Sequence, residues 1–106
     1  METTYYVFIH RPGPNWLPDT PVLEQPLEGH FGHMSRLERT GALMAGGGFL
    51  DGAGAMGVIR ADSLEAANEM ATSDPAVIDV VVTTEVHPWY VTVGGVIEAG
   101  PGPSAS

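Results

Sequence analysis

The stretch "ALMAGGGFLDGAGAMGVIRA", residues 42–61, decides the fold, because it has the pattern of two strands joined by a tight turn. Its first half is apolar and ends in three consecutive glycines, Gly46 to Gly48, and its last seven residues are again apolar and rich in β-branched side chains. The "DGAG" between them, residues 51–54, is typical of a hairpin turn. The stretch therefore predicts an antiparallel hairpin.

Helical patterns flank the hairpin on both sides. Before it, apolar residues recur at three- and four-residue spacing over residues 27–40, and Gly41 stands where a left-handed C-terminal cap belongs. After it, Ser63 fits the N-cap of a second helix, and Asp74 followed by Pro75 fits the start of a short extra helical turn. The apolar positions are Leu27, Phe31, Met34 and Leu37 in the first helix and Leu64, Ala67, Met70 and Ala71 in the second.

Two further strands complete the pattern. "TYYVFIH", residues 4–10, is β-branched and aromatic, and alternation puts His10 on one face and Ile9 on the other. "TTEVHPWYVTV", residues 83–93, predicts the last strand, with Pro88 indicating an edge position or a bulge. The order βαββαβ predicts an α+β, ferredoxin-like fold with a four-stranded antiparallel sheet and both helices on one face.

The domain organisation follows from composition. Residues 1–93 are expected to form a single domain, and the Gly/Pro/Ser-rich residues 94–106 a mobile tail. Residues 11–26 hold five prolines and predict an irregular loop that is long enough to close over a pocket. Helices that cover one face leave the other face of the sheet apolar and open, which predicts a homodimer with two sheets packed together.

The charge of the chain excludes several classes of function. Four Lys and Arg residues stand against 13 Asp and Glu, for a formal charge of −9, so neither nucleic acid nor an anionic membrane surface is an expected partner. No stretch approaches the roughly 18 apolar residues of a membrane span, and "METTYYVFIH" lacks the features of a signal peptide. With no cysteine in the chain, a cytoplasmic location is expected.

The histidines are the main candidates for chemistry. His30 and His33 are three residues apart on the first helix, but the local string "HFGH" is not a metalloprotease motif, and no metal is expected. The glycine run does not match a phosphate-binding loop, and no serine or threonine has the context of a nucleophile. Acid–base chemistry remains, with Asp74 as a carboxylate that orients His30. The alternatives are that Asp74 only caps a helix and that His30 is only solvated.

The chain as a whole resembles a known family. "HFGHMSRLERTGALMAGGGF", "GAMGVIRADSLEAANEMATSDPAV" and "EVHPWYV" resemble, over roughly residues 4–93, the YCII-related family of the dimeric α/β-barrel superfamily. His30 stands 11 residues before Gly41, as in that family, and the Asp74-Pro75 and Pro88-Trp89 pairs fall in place. Gly48 departs from the pattern, which has proline there.

The resemblance implies an active site in a pocket near a dimer interface. It makes His30 the general acid or base and Asp74 its partner, acting on a small-molecule substrate without a cofactor. The residues that we expect to contact the substrate are His10, Arg11, Trp16, Gly47, Gly48, His87 and Trp89.

Three functions are compatible with these features. The first is an enzyme of lyase or isomerase type that performs isomerisation, elimination (including dehydrohalogenation) or cyclisation on a small aromatic or enolic molecule. The second is a cofactor-free oxygenase of a polyphenol. The third is a non-catalytic binding or accessory module with the same pocket, since one fold hosts many functions.

Overall fold

The structure, a computed structural model, describes residues 4–94. Within them lie four strands, three α-helices and one turn of 3-10 helix at Val22–Glu24. The strands are β1 (Thr4–Pro12), β2 (Leu43–Gly48), β3 (Ala55–Ala61) and β4 (Val82–Trp89), and the helices are α1 (Glu28–Arg39), α2 (Leu64–Thr72) and α3 (Pro75–Ile78).

The four strands form one antiparallel sheet in the order β2-β3-β1-β4. With the element order βαββααβ, in which α3 is a single extra turn, this confirms the predicted α+β, ferredoxin-like fold. β1 lies at the centre because β3 and β4 both pair with it. β4 is an edge strand, which explains how it accommodates Pro88.

The predicted hairpin is present, and its turn depends on glycine. Gly48 pairs with Ala55, and the Phe49 N–H donates to the carbonyl of Gly54 over 2.7 Å. Gly54 has a φ of 140°, and a Cβ on it would lie 1.9 Å from the carbonyl oxygen of His10. No side chain fits there, so this turn approaches β1 as closely as backbone allows.

The main core lies between the sheet and the helices. Tyr6 and Phe8 of β1 pack with Ile59 of β3 and with Ala67 and Ala71 of α2, and all five are buried. The small alanines let α2 lie close to the sheet. A methyl group on Gly57 of β3 would come within 2.3 Å of the Phe8 ring, so Phe8 lies flat over a bare stretch of backbone.

The helix boundaries agree with the predicted caps. Gly41 follows α1 with a φ of 84°, the Ser63 hydroxyl accepts from the Ala66 N–H, and Asp74 caps α3. The apolar face of α1 differs from the prediction at one position, because Phe31 is 50% exposed. His33 is buried in its stead and lies against α2.

Both terminal strands differ in extent from the prediction. β1 continues two residues beyond His10, to Pro12, and β4 stops at Trp89 rather than at residue 93. β4 ends because Trp89 already pairs with Tyr5, near the start of β1, so the following residues have no strand to pair with. Val91 packs instead on Tyr5, on the face opposite the helices. The predicted tail lies outside the described residues from position 95 onward.

The proline-rich loop is held in place by one buried amide. The Gln25 side chain accepts from the Leu17 N–H and donates to the carbonyls of Leu17 and Thr20, over 2.8 to 2.9 Å. Trp16 packs beside Leu27 and Val82 in a second apolar cluster. The loop is therefore closed onto the core. None of the helices in residues 4–94 is long and apolar enough to cross a membrane.

Candidate active site

A buried carboxylate lies at the centre of the site. Asp74, which is 0% exposed, precedes α3, and its Oδ1 accepts from the Ala76 N–H over 2.9 Å, as an N-cap does. Its Oδ2 lies 2.6 Å from His30 Nδ1 and 3.5 Å from His10 Nε2. One oxygen therefore caps the helix while the other faces two imidazoles.

Close packing of α1 on α3 brings His30 to Asp74. Gly29, the residue before His30, lies against Pro75, the residue after Asp74. A Cβ on Gly29 would lie 2.8 Å from Pro75 Cβ, closer than two carbon atoms can come without rearrangement. Glycine at position 29 thus sets the distance between the two helices, and through it the short contact between imidazole and carboxylate.

The contact with Asp74 determines which nitrogen of His30 carries the proton. An ionised carboxylate only accepts hydrogen bonds, so Nδ1 must donate, and at 2.6 Å the bond has the length of a charge-assisted pair. In the neutral ring the lone pair is then on Nε2. His30 lines a large cavity, and within residues 4–94 its Nε2 makes no hydrogen bond, which leaves that lone pair for a ligand.

His10 supports the same carboxylate from the central strand. It is 2% exposed, and its Nδ1 lies 2.8 Å from the Thr84 hydroxyl of β4. Since a lone pair on Nε2 would face the Asp74 oxygen, we assign the proton to Nε2 and let Nδ1 accept from Thr84. The acceptor that Nε2 faces is Asp74 Oδ2 at 3.5 Å, a long contact that adds to the short hydrogen bonds of that carboxylate, and Nε2 has no nearer partner among residues 4–94.

The surroundings of Asp74 keep it ionised. Burial alone raises the pKa of a carboxyl group, but donors on His10 and His30, the Ala76 N–H and the charge of a protonated His30 outweigh that effect. They hold the pKa of Asp74 well below its usual range. At neutral pH the carboxylate therefore carries a full negative charge under the His30 ring.

A cavity of about 550 Å³ opens beside His30. Its floor is formed by Phe8 and His10, and its walls come from α1, the glycines of β2, the hairpin turn and the proline-rich loop. None of the described residues that line it is Asp, Glu, Lys or Arg. Its aromatic side chains are Phe8, Trp16, Phe31 and Phe49, and its larger aliphatic ones are Val22, Leu27, Met34, Leu43, Leu50 and Val82.

The structure divides the predicted site residues into two groups. His10, Trp16, Gly47 and Gly48 line the cavity together with His30. The other predicted contacts, Arg11, His87 and Trp89, lie elsewhere, on the opposite face of the sheet.

Strand alternation is the reason for this separation. Because β1 continues to Pro12, Arg11 projects on the face opposite His10. There Arg11 is paired with Glu85, and Glu85 also accepts from His87 Nε2 over 2.8 Å. The Arg11 guanidinium therefore lies outside the cavity and already has a carboxylate partner.

His33, the second histidine of the "HFGH" string, is separate from the site. Its Nε2 donates to the Met70 carbonyl of α2 over 2.7 Å, so the ring joins the two main helices. Three residues that contribute to the site were not singled out from the sequence, namely Gly29, Thr84 and Ala76. The one signal for Gly29 was its place beside His30, which does not reveal the packing on Pro75.

The profile of the YCII-related domain matches residues 4–90 of the chain. The chain belongs to the YCII-related family. That match spans every strand and helix described above, and it confirms the resemblance drawn from the sequence motifs. A search of curated proteins found no match to the chain.

The three polar groups of the YCII-related domain's site resemble a metal-binding set in composition. Ligand atoms of His10, His30 and Asp74 all lie within 4.8 Å of one another. Tetrahedral zinc at its usual bond lengths holds nitrogen and oxygen ligands roughly 3.3 Å apart. The 2.6 Å separation of His30 Nδ1 and Asp74 Oδ2 is that of a hydrogen bond, with the proton on the nitrogen that would have to bind the metal.

The low pKa of Asp74 predicts how the stability of the YCII-related domain depends on pH. The folded pKa lies below the unfolded one, so the stabilisation is fully present above the ordinary value of 3.8 and is lost as pH falls below it. We expect Asp74→Asn to lower the free energy of unfolding by about 1–3 kcal/mol at neutral pH, and by progressively less as pH falls below about 4.

Urea unfolding at a series of pH values measures this difference. The matched control is Asp62→Asn, which changes an exposed aspartate just before α2. The free energy of unfolding of this variant should change with pH in the same way as that of the wild type. A constant difference between wild type and Asp74→Asn from neutral pH to pH 3 would contradict an ionised, hydrogen-bonded Asp74.

Proposed function

We propose that this YCII-related domain is an enzyme that needs no cofactor and transfers protons to and from a small organic molecule. His30 is the general base and acid, and Asp74 orients it. The observation that carries the proposal is the 2.6 Å bond from His30 Nδ1 to the buried Asp74, at a ring that lines an apolar cavity. A histidine held in one tautomer beside an apolar cavity is suited to acid–base catalysis.

The chemistry follows from the charges. The Nε2 lone pair of His30 takes a proton from the substrate, which leaves an imidazolium between the new substrate anion and the Asp74 carboxylate. Both neighbours are negative, so the imidazolium is stabilised from two sides. Asp74 stays ionised throughout because its donors from Ala76 and His10 remain in place.

The fate of the substrate anion determines the reaction type. Return of the proton to another carbon is an isomerisation, and departure of a leaving group such as halide is an elimination. Attack of the anion within the same molecule is a cyclisation. Isomerisation and cyclisation return the proton from His30 to the product, whereas in elimination the halide leaves with the bonding electron pair and His30 releases the proton to solvent. One base is enough for each reaction, and the cavity offers His30 in that role.

A proton-exchange assay tests the proposal without knowledge of the natural substrate. β-Tetralone, a bicyclic ketone with an acidic carbon-bound proton, is incubated with the protein in heavy water and followed by proton NMR. We expect the wild type to accelerate deuterium incorporation at that carbon. We expect His30→Gln to lose at least about 100-fold of the acceleration, the usual contribution of a general base.

The matched control is His33→Gln, on the same helix. Its side-chain amide can still donate to the Met70 carbonyl, so the fold and the exchange rate should be retained. Equal exchange in wild type and His30→Gln would overturn the assignment of His30. Binding of β-tetralone to the wild type without any accelerated exchange would support the alternative, a binding module.

A homodimer is the second part of the proposal. The face of the sheet opposite the helices carries Tyr5 and Val58, which are buried with Val91, and the half-buried Val7; no helix among the described residues covers this face. Ile9 and Met56 pair across β1 and β3 on that face, and Met56 is 36% exposed. Packing of this face against a second copy would remove its apolar part from water, with the polar pair Arg11 and Glu85 at one end.

Sedimentation analysis tests the dimer. We expect the wild type to sediment at twice 11.1 kDa, and Ile9→Glu to sediment at 11.1 kDa with an unchanged circular dichroism spectrum. The substituted carboxylate would face its copy near the centre of the interface, where burial of an unpaired charge is unfavourable. A wild type that stays at 11.1 kDa at all concentrations would contradict the proposed dimer.

A further inference from the structure

We infer that the cavity takes a flat, largely apolar ring compound that enters without charge and carries one weakly acidic group. We also infer that the bare backbone of Gly46 and Gly48 is the wall that admits this ring. The inference rests on the proposed function, because it concerns the same cavity, and it specifies the class of substrate.

The charges around the cavity exclude a polyanionic ligand. Among residues 4–94, no arginine lines the cavity, and Arg11 is paired on the other face of the sheet. The Asp74 carboxylate lies behind His30, so phosphate groups or two carboxylates would add negative charge opposed only by the imidazoles of His30 and His10, which Asp74 already faces. A neutral molecule that becomes an anion only when His30 takes its proton does not encounter this repulsion.

The glycines of β2 are not required by the backbone. The described glycines with positive φ are Gly41, Gly52, Gly54 and Gly94, so residues 46–48 have ordinary strand conformations. A Cβ on Gly46 would contact Leu43 Cδ1 at 3.7 Å, and a Cβ on Gly48 would meet only the Gly54 carbonyl at 3.9 Å. Both are ordinary contacts.

The register shows what the missing side chains would occupy. Gly46 pairs with Gly57, which pairs with Phe8, and Gly48 pairs with Ala55, which pairs with His10. Both sets of paired residues lie on the face of the sheet that carries the cavity. Valine or isoleucine, the usual strand residues, would project from Gly46 and Gly48 into this space. The glycines therefore contribute to the volume of the cavity rather than to the turn or the core.

The remaining walls favour a flat ligand. Phe8, Trp16, Phe31 and Phe49 line the cavity, and the glycine run presents the faces of peptide groups. Aromatic rings and peptide planes both pack well against a planar conjugated system. At about 550 Å³ the cavity lies within the range of roughly 300–1,000 Å³ that is usual for small-molecule sites.

Three probes with related skeletons test the class of ligand by titration calorimetry. β-Naphthol is flat, neutral and weakly acidic; decahydro-β-naphthol has the same carbon skeleton but is puckered; naphthalene dicarboxylate is flat and doubly charged. We expect saturable binding of β-naphthol, affinity at least about tenfold lower for the puckered alcohol, and no saturable binding of the dianion. Equal affinity for the two alcohols, or tighter binding of the dianion, would overturn the inference.

Substitutions in β2 test the wall. Gly46→Val and Gly48→Val should each lower the affinity for β-naphthol at least about tenfold, because the new side chain takes up cavity space. The matched control is Ala45→Val in the same strand. Because Ala45 pairs with Val58 on the opposite face of the sheet, the affinity of this variant for β-naphthol should stay at the wild-type value. Melting curves of the three valine variants establish that they fold. If a glycine position does not tolerate valine, Gly48→Ala replaces that variant in the binding measurement.

Equal losses of affinity in Ala45→Val and in the glycine variants would contradict the proposal that Gly46 and Gly48 form the wall that admits the ring. Because binding is measured without turnover, the outcome is independent of the exchange assay. If the protein binds β-naphthol with the expected preferences but exchanges no protons, the inferred class of ligand is supported and the proposed chemistry is contradicted. If the protein exchanges protons but prefers the dianion, the proposed chemistry is supported and the inferred class of ligand is contradicted.

Discussion

The site depends on one buried negative charge. Asp74 has no exposed surface, and a buried carboxylate is tolerated only where donors surround it. Those donors come from three different elements, the Ala76 N–H of α3, His30 of α1 and His10 of β1. Satisfying the charge therefore brings the start of one helix, the start of another and the central strand to one point, beside the cavity.

Much of this architecture follows from local sequence patterns. The hairpin around residues 51–54, the caps at Gly41 and Ser63 and the order of the elements were all predicted, because turn chemistry and apolar periodicity are properties of short segments. Asp74 is more instructive. Capping a helix and holding His30 were treated as alternatives, yet the carboxylate does both, since each oxygen serves a different partner.

Other parts of the site depend on contacts between distant segments. The packing of Gly29 on Pro75 and the bond from Thr84 to His10 join residues far apart in the chain, and no local pattern marks them. Arg11 lies outside the cavity for a different reason. The predicted strand ended at His10, so Arg11 was treated as part of a loop with free orientation. In the longer strand, alternation alone turns it away from the cavity.

The most direct test of the account is the tautomer of His30, read from long-range proton–nitrogen NMR correlations at a pH where the ring is neutral. The hydrogen bond made by one ring nitrogen determines which of the two carries the proton. If Asp74 orients His30, the proton is on Nδ1 in the wild type. This preference is lost in Asp74→Ala, which removes both carboxylate oxygens. A wild-type proton on Nε2, or the same tautomer in both proteins, would show that Asp74 does not orient His30 and would contradict the proposed catalytic pair.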